Sequence, residues 1–117
     1  MEQPIFSTAS ELAQAIHSGA ISSLDVVDAH LAQIARHNPK LNAIVTLDTE
    51  RARQRAREAD AAQARGESWG PLHGVPFTAK DFYETAGLRT TAGFKGLANH
   101  IPVRDATAVA RMRQAGA

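Results

Sequence analysis

The spacing of apolar and polar residues predicts a short amphipathic helix at the start of the chain. Thr8 is followed three residues later by Glu11, the pattern of a capping box that opens a helix. The helix is predicted over Ala9–His17, and Gly19 follows where a left-handed C-terminal cap would fall. The first predicted element is therefore a helix of about two and a half turns.

A second amphipathic helix is predicted directly after this one. Ser22 and Asp25 repeat the start signal. Apolar residues then recur at helical spacing, at Leu24, Val27, Leu31 and Ile34. Pro39 restricts the residue before it and removes a backbone donor, so the helix is expected to end near His37. The two helices predict a helical hairpin over residues 8–38.

The rest of the chain is predicted to alternate strands with helices. Two short runs rich in β-branched residues indicate strands, and a helical pattern follows each of them. In chain order these elements are a strand at Ala43–Leu47, a helix at Thr49–Arg65 capped by Asp48 and closed by Gly66, a strand at Val75–Ala79 and a helix at Ala106–Ala115 capped by Asp105. The predicted fold class is α/β, with a β-α-β-α unit over residues 43–117.

Such a unit is not expected to be a complete domain. Two short strands cannot cover their own sheet edges, and an α/β unit ordinarily continues into a further strand after its last helix. A stripe of small residues on the third helix indicates close packing against a neighbour, at Ala52, Ala56, Ala59 and Ala62. Residues 1–117 are therefore predicted to form the first part of one larger α/β domain.

Composition excludes several classes of function. The 117 residues carry a formal charge of +1 and no cysteine, which gives no electrostatic case for a nucleic-acid partner and excludes disulfides and thiolate chemistry. The arginines of 51–57 are spaced to pair with neighbouring acidic residues on a solvated helix face. Met1–Ser10 has neither a basic start nor an apolar run, and no membrane span is predicted, so the expected location is the cytoplasm.

Neither a metal site nor a nucleotide site is predicted. The five histidines lack the i, i+4 spacing of a helical zinc site and have no acidic cluster beside them: His17, His30, His37, His73 and His100. His73 is interpreted as a turn residue rather than a base. Three glycines precede a predicted strand, whereas a phosphate-binding loop follows one, so they are interpreted as turn formers: Gly66, Gly70 and Gly74. No cofactor is expected.

Lys80 is the candidate for chemistry, because it follows the apolar run of the second predicted strand. Two interpretations fit the residues alone. Its stem can pack on apolar surface while the ammonium reaches water or meets Asp81. Alternatively, the amine is desolvated at the end of a core strand, where burial lowers a lysine pKa, and takes a proton from a hydroxyl nucleophile.

The stretch GPLHGVPFTAKDFYETAGLRTTAG resembles the segment that holds the catalytic lysine in the amidase signature family. In this family a G-P-L-x-G-[IV]-P run leads to a Lys-Asp pair and then to an A-G-x-x-T-[TS]-x-G loop. The matching positions are Gly70, Pro71, Leu72, Gly74, Val75, Pro76, Lys80, Asp81, Ala86, Gly87, Thr90, Thr91 and Gly93. A second family phrase matches at Asn38, Pro39, Leu41, Asn42 and Ala43, and DATAVARMRQAGA resembles the helix that follows. The resemblance spans essentially the whole chain.

The resemblance implies an enzyme that cleaves carbon–nitrogen bonds of a small-molecule amide. It implies the N-terminal portion of the amidase-signature fold, which is a mixed β-sheet core flanked by helices. In the family a lysine, a bridging serine in a cis-peptide conformation and a nucleophilic serine form the catalytic set, and Lys80 fits the first role. Asp81 is expected to orient the loop after the strand.

Both family serines belong to a Gly/Ser-rich segment expected downstream of Ala117. None of the serines present has that context, and none is assigned as nucleophile: Ser7, Ser10, Ser18, Ser22, Ser23 and Ser68. The isolated chain is therefore expected to be inactive, with exposed apolar surface that favours self-association. Two alternatives stay open: the A subunit of a glutamyl-tRNA(Gln) amidotransferase, and a non-catalytic remnant or interaction module.

Overall fold

The structure is a computed structural model that describes residues 3–117. Met1 and Glu2, the first two residues of the stretch Met1–Ser10 that lacks a basic start and an apolar run, lie outside the described residues. The helices are α1 (Ala9–His17), α2 (Ser23–Leu41), α3 (Thr49–Ala64) and α4 (Thr107–Gln114), with 3₁₀ turns at Pro4–Phe6 and Lys95–Leu97.

Helix α1 has the predicted bounds and the predicted cap. The Thr8 hydroxyl accepts a hydrogen bond from the Glu11 backbone N–H at 3.2 Å, and the Glu11 carboxylate accepts one from the Thr8 N–H at 2.7 Å. These bonds from the backbone and side chain of Thr8 hold the pKa of Glu11 below its ordinary value. Gly19 adopts the left-handed conformation expected after the helix, with φ of 73°.

Helix α2 is longer than predicted. It begins at the predicted cap, where Ser22 Oγ accepts from the Asp25 N–H at 2.9 Å, but it continues through Pro39 to Leu41. The prediction that it ends near His37 is therefore wrong. The last turn is closed by Asn42, which takes a left-handed conformation (φ 48°) and donates its N–H to the Asn38 carbonyl at 2.7 Å.

No strand forms at Ala43–Leu47, and this prediction is wrong for the described chain. The Asn38 side chain occupies both backbone groups of Ile44: the Ile44 N–H donates to Asn38 Oδ1 at 2.9 Å, and Asn38 Nδ2 donates to the Ile44 carbonyl at 3.0 Å. Thr46 Oγ1 donates to the Arg89 carbonyl at 3.2 Å. The Asn38 side chain therefore satisfies both backbone groups of Ile44, which a sheet ladder would have used.

Val75–Ala79 likewise forms no strand, although the chain there lacks helical or turn structure. The Val75 N–H donates to the Leu72 carbonyl at 3.0 Å, within a turn. A strand needs a neighbour for its ladder, and within residues 3–117 the β pairing consists of one isolated antiparallel bridge between Thr85 and Leu88. The mixed sheet expected for the fold is thus not formed by the described residues.

The core lies where α1, α2 and the start of the second predicted strand meet. Leu12, Ile16, Val26 and Val75 form its buried cluster. Helix α3 packs on α2, and three residues of its predicted small-residue stripe are buried, Ala56, Ala59 and Ala62. Because small side chains permit close packing, the burial of these alanines confirms the prediction of a packing surface.

Asp48 lies at the predicted N-cap position of α3, but the side-chain cap bonds predicted for α3 and α4 do not form. Asp48 makes no cap hydrogen bond and instead pairs with Arg51, whose Nε lies 2.8 Å from Asp48 Oδ2. Helix α4 begins after Ala106, also without a side-chain cap, because the Asp105 carboxylate accepts from the Ala86 N–H at 2.7 Å. The Asp48–Arg51 pair has the i, i+3 spacing predicted for the arginines of 51–57, whereas Asp105 binds a partner nineteen residues away in the chain, which short-range patterns do not reveal.

Candidate active site

The backbone that leads to Lys80 is fixed at its beginning by three hydrogen bonds. The Leu72 and Gly74 N–H groups donate to the carbonyls of Ala115 and Gly116 at 2.8 and 2.9 Å, after the end of α4. Ser23 Oγ, at the first turn of α2, donates to the Gly74 carbonyl at 2.6 Å. Gly74 has φ of +74°, and a Cβ there would lie 2.9 Å from Ser23 Oγ, so this position requires glycine.

His73 stabilises the same turn from the inside. Its ring is buried, with Nδ1 accepting from the Trp69 N–H and Nε2 bonded to the Ala59 carbonyl, each at 3.0 Å. Because a carbonyl can only accept, Nε2 carries the proton and Nδ1 is bare. Residues 71–74 form a turn, which confirms the interpretation of His73 as a turn residue.

Arg55 makes contacts that the sequence does not predict, because the spacing of the arginines of 51–57 favours a solvated face. Its guanidinium lies 4.9 Å from the centre of the Trp69 ring, and its Nε donates to the Ala117 carbonyl at 2.8 Å. Burial, with a smaller contribution from the charge of Arg113, lowers the pKa of Arg55. Arg55 thus joins α3 to the residues after α4 that hold the turn before Lys80.

The Lys80 side chain is exposed in the structure, so residues 3–117 do not desolvate its amine. Its Nζ lies 5.9 Å from the centre of the Phe82 ring, within the range of a cation–π contact. Its carbonyl accepts from the Tyr83 N–H at 2.9 Å, which turns the chain away immediately after the lysine. The structure therefore presents the amine at a surface formed by a turn.

Asp81 joins this turn to the threonine-glycine part of the motif. Its Oδ1 accepts from the Thr91 N–H at 2.9 Å, its Oδ2 accepts from the Thr91 hydroxyl, and its carbonyl accepts from the Ala92 N–H at 2.6 Å. The hydroxyl bond, then the backbone bond, and further the charge of Arg89 hold the pKa of Asp81 below its ordinary value. The prediction that Asp81 orients the following loop is confirmed.

The other two carboxylates of the loop also have partners. Glu84 Oε1 lies 2.7 Å from His100 Nε2, and Asp105 Oδ2 lies 3.2 Å from Arg113 Nε. Among the ion pairs of the described residues none includes Lys80. Every acidic group between Lys80 and α4 is thus bound to a group other than the lysine.

Four serines have structural roles in the described chain. Ser18 and Ser23 donate to backbone carbonyls, Ser22 bonds to Asp25, and Ser68 bonds to Gly70. None of these bonds brings a serine to Lys80. The structure therefore does not assemble a serine–lysine pair from these four residues.

Metal sites and membrane-spanning helices are not found in the described part of the chain. Across residues 3–117, no group of three or more His, Cys, Asp or Glu side chains is placed to hold a metal ion. None of the helices in that range combines the length and apolar character that crossing a membrane requires.

Comparison with known proteins gives the family. The amidase family model matches residues 25–117. The A subunit of the glutamyl-tRNA(Gln) amidotransferase of Roseiflexus sp. (strain RS-1) is 46% identical over 110 residues, which cover 94% of this chain and 22% of that protein. An acylamidase of Rhodococcus erythropolis is 40% identical over 109 residues, covering 93% of this chain and 23% of that protein.

The fold agrees with this result. The structure of native peptide amidase from Stenotrophomonas maltophilia superimposes with a TM-score of 0.86 at 33% identity, over 96% of this chain and 23% of that one. The chain thus spans about a quarter of the length of the relatives it matches. With the family model matching residues 25–117, the chain belongs to the amidase family, whose members include the amidase signature enzymes.

Proposed function

We propose that this chain is part of an amidase that hydrolyses the carbon–nitrogen bond of a small-molecule amide, with Lys80 as its general base. Family membership supports the reaction class, as do relatives named acylamidase and peptide amidase. The observation that carries the assignment is the position of Lys80. It lies between two fixed points of the backbone, the Ser23-to-Gly74 bond and the Asp81–Thr91 contacts.

The proposed reaction uses two serines of a Gly/Ser-rich segment outside residues 1–117. Neutral Lys80 accepts the proton of a bridging cis-peptide serine, which in turn accepts the proton of the nucleophilic serine. The nucleophile attacks the amide carbon, backbone N–H groups bind the oxyanion, and the C–N bond breaks as the leaving amine takes a proton. Water then hydrolyses the acyl-enzyme. No metal or cofactor participates in this scheme.

The proposal also accounts for the exposed amine of Lys80. In the complete domain, Val75–Ala79 would add to a mixed sheet, and that sheet would cover the lysine and lower its pKa by desolvation. The exposed side chains of Phe82, Phe94 and Val103 would be covered in the same domain or by a second copy of the protein. A cytoplasmic location, in keeping with the cysteine-free sequence, completes the proposal.

A second candidate function is that of an amidotransferase component. The observation in its favour is the 46% identity to the A subunit of a glutamyl-tRNA(Gln) amidotransferase over 94% of this chain. Such a protein would use the same lysine but work with partner subunits. Purification of the complete protein from its host distinguishes the two: a stoichiometric complex that transfers the amide group to glutamyl-tRNA(Gln) would replace the hydrolase proposal.

The test of the hydrolase proposal compares the complete protein with the isolated 117-residue chain on a simple aryl amide. The complete protein should release the amine and accumulate an ester-linked acyl group on one serine, detectable by mass spectrometry after acid quench. The isolated chain should release none, because a base without a nucleophile cannot form an acyl-enzyme. Turnover by the isolated chain, loss of turnover in chelator restored by zinc, or a complete protein without turnover would each overturn the proposal, the last favouring a non-catalytic remnant.

A further inference from the structure

We propose that Thr91 is a positioning residue that holds the Asp81 carboxylate away from the amine of Lys80. The inference rests on the proposed role of Lys80 as a base and adds a residue to it. Lys80 and Asp81 are adjacent in the chain, yet the ion pairs of the described residues do not include one between them. Both oxygens of the carboxylate are bound by Thr91 instead.

The geometry around Thr91 directs its hydroxyl proton to Asp81. Thr91 Oγ1 accepts a hydrogen bond from the Gly93 N–H at 3.2 Å and bonds to Asp81 Oδ2. An ionised carboxylate can only accept, so the threonine hydroxyl must be the donor in that second bond. The Ala92 N–H fixes the Asp81 carbonyl as well, at 2.6 Å. The carboxylate is thus held by a closed set of bonds within the loop of 90–93.

A free carboxylate beside Lys80 would oppose its function. An opposite charge within about 4–6 Å favours the charged form of an amine, whereas a general base must be neutral to accept a proton. The other two carboxylates of the region pair with groups other than Lys80, Glu84 with His100 and Asp105 with Arg113. Arg89 acts on Asp81 and favours its ionised form. By binding both oxygens of the Asp81 carboxylate, Thr91 therefore keeps that carboxylate from pairing with the adjacent amine.

The test is the pH dependence of kcat/KM for an aryl amide in the complete enzyme, with Thr91→Val. Valine removes the hydroxyl and keeps the shape, which frees Asp81 Oδ2 to pair with Lys80. The acidic limb of the profile should move to higher pH by about one unit. Adding Asp81→Asn to Thr91→Val should return the limb to its original position, although the loop has lost still more bonds.

Thr90→Val is the matched control. Thr90 is the neighbouring residue, is buried, and donates its hydroxyl to the Leu88 carbonyl at 3.1 Å rather than to a carboxylate. Its replacement should lower stability without moving the limb. If Thr91→Val does not fold, Thr91→Ala serves as the hydroxyl-free variant, and Thr91→Ser should keep the original profile.

The outcomes separate this inference from the function on which it rests. An unchanged limb in a folded, hydroxyl-free Thr91 variant overturns the inference, as does a shifted limb that Asp81→Asn fails to reverse. Retention of full activity by Lys80→Ala overturns the proposed function itself, whatever the Thr91 variants do. An acidic limb that Thr91→Val shifts and Asp81→Asn restores, together with an inactive Lys80→Ala, supports both the inference and the proposed function.

Discussion

Ser23 Oγ donates a hydrogen bond of 2.6 Å to the carbonyl of Gly74, across fifty-one residues of chain. The bond joins the first turn of α2 to the point where the backbone enters the segment that ends at Lys80. Ser23 is itself fixed, because its N–H donates to Asp60 Oδ1 at 2.7 Å. Through these two bonds, Ser23 connects the start of α2 and the Asp60 side chain of α3 to the backbone that leads to the candidate lysine.

Ser23→Ala should destabilise the protein by about 1–2 kcal/mol, because the partly buried Gly74 carbonyl loses its donor. The urea midpoint of the complete protein measures this loss. Ser18→Ala is the control: its hydroxyl also donates to a carbonyl, but at the surface, so the change should stay within about 0.5 kcal/mol. Equal losses of unfolding free energy for the two variants would contradict the larger stabilising role assigned to the Ser23–Gly74 bond.

The second prediction concerns which ring nitrogen of neutral His73 carries the proton. Its Nδ1 accepts from the Trp69 N–H while Nε2 faces the Ala59 carbonyl, so the neutral ring should carry its proton on Nε2. Long-range ¹H–¹⁵N correlation spectra of the histidine rings at alkaline pH measure the tautomer directly. His73→Ala identifies the signal by its loss. A proton on Nδ1 would contradict the arrangement of the turn.

Stability in acid should depend on Asp81. Bonds from Thr91 depress its folded pKa, so its contribution to stability is complete above the unfolded value of about 3.9 and is lost as pH falls through the folded value. Urea midpoints between about pH 5 and pH 2 should therefore fall less steeply for Asp81→Asn than for the parent. Thr91→Val removes the main cause of the depression and should flatten the slope in the same direction. Parallel curves for parent and variants would refute this role.

The sequence predicted most reliably the features that depend on residues close together in the chain. The Thr8–Glu11 capping box and the left-handed Gly19 depend on residues three or four apart, and both are found as expected. The alanine stripe of α3 depends on periodicity and is also found. The motif around Lys80 is a contiguous run of residues, so the sequence alone was enough to indicate the candidate lysine and its family.

Side-chain partners that propensity and helical periodicity do not reveal account for what the sequence did not predict. Asn38 occupies the backbone of Ile44 and so removes a predicted strand, while Asp105 bonds to Ala86 instead of capping α4. The second predicted strand has no neighbour to pair with in the described residues, so β propensity alone could not form it. The role of Arg55 escaped prediction for the same reason, because its partners are a ring and a carbonyl that are distant along the chain.

The central claim is that Lys80 is the general base, and kcat of its variants in the complete enzyme tests that claim most directly. Lys80→Ala should lower kcat by several orders of magnitude with the fold intact, and Lys80→Arg should be nearly as damaging, because a guanidinium stays protonated and cannot accept a proton. Lys40→Ala, an exposed lysine at the end of α2, should leave kcat unchanged. A folded Lys80→Ala enzyme that loses only a few-fold in kcat would contradict the assignment.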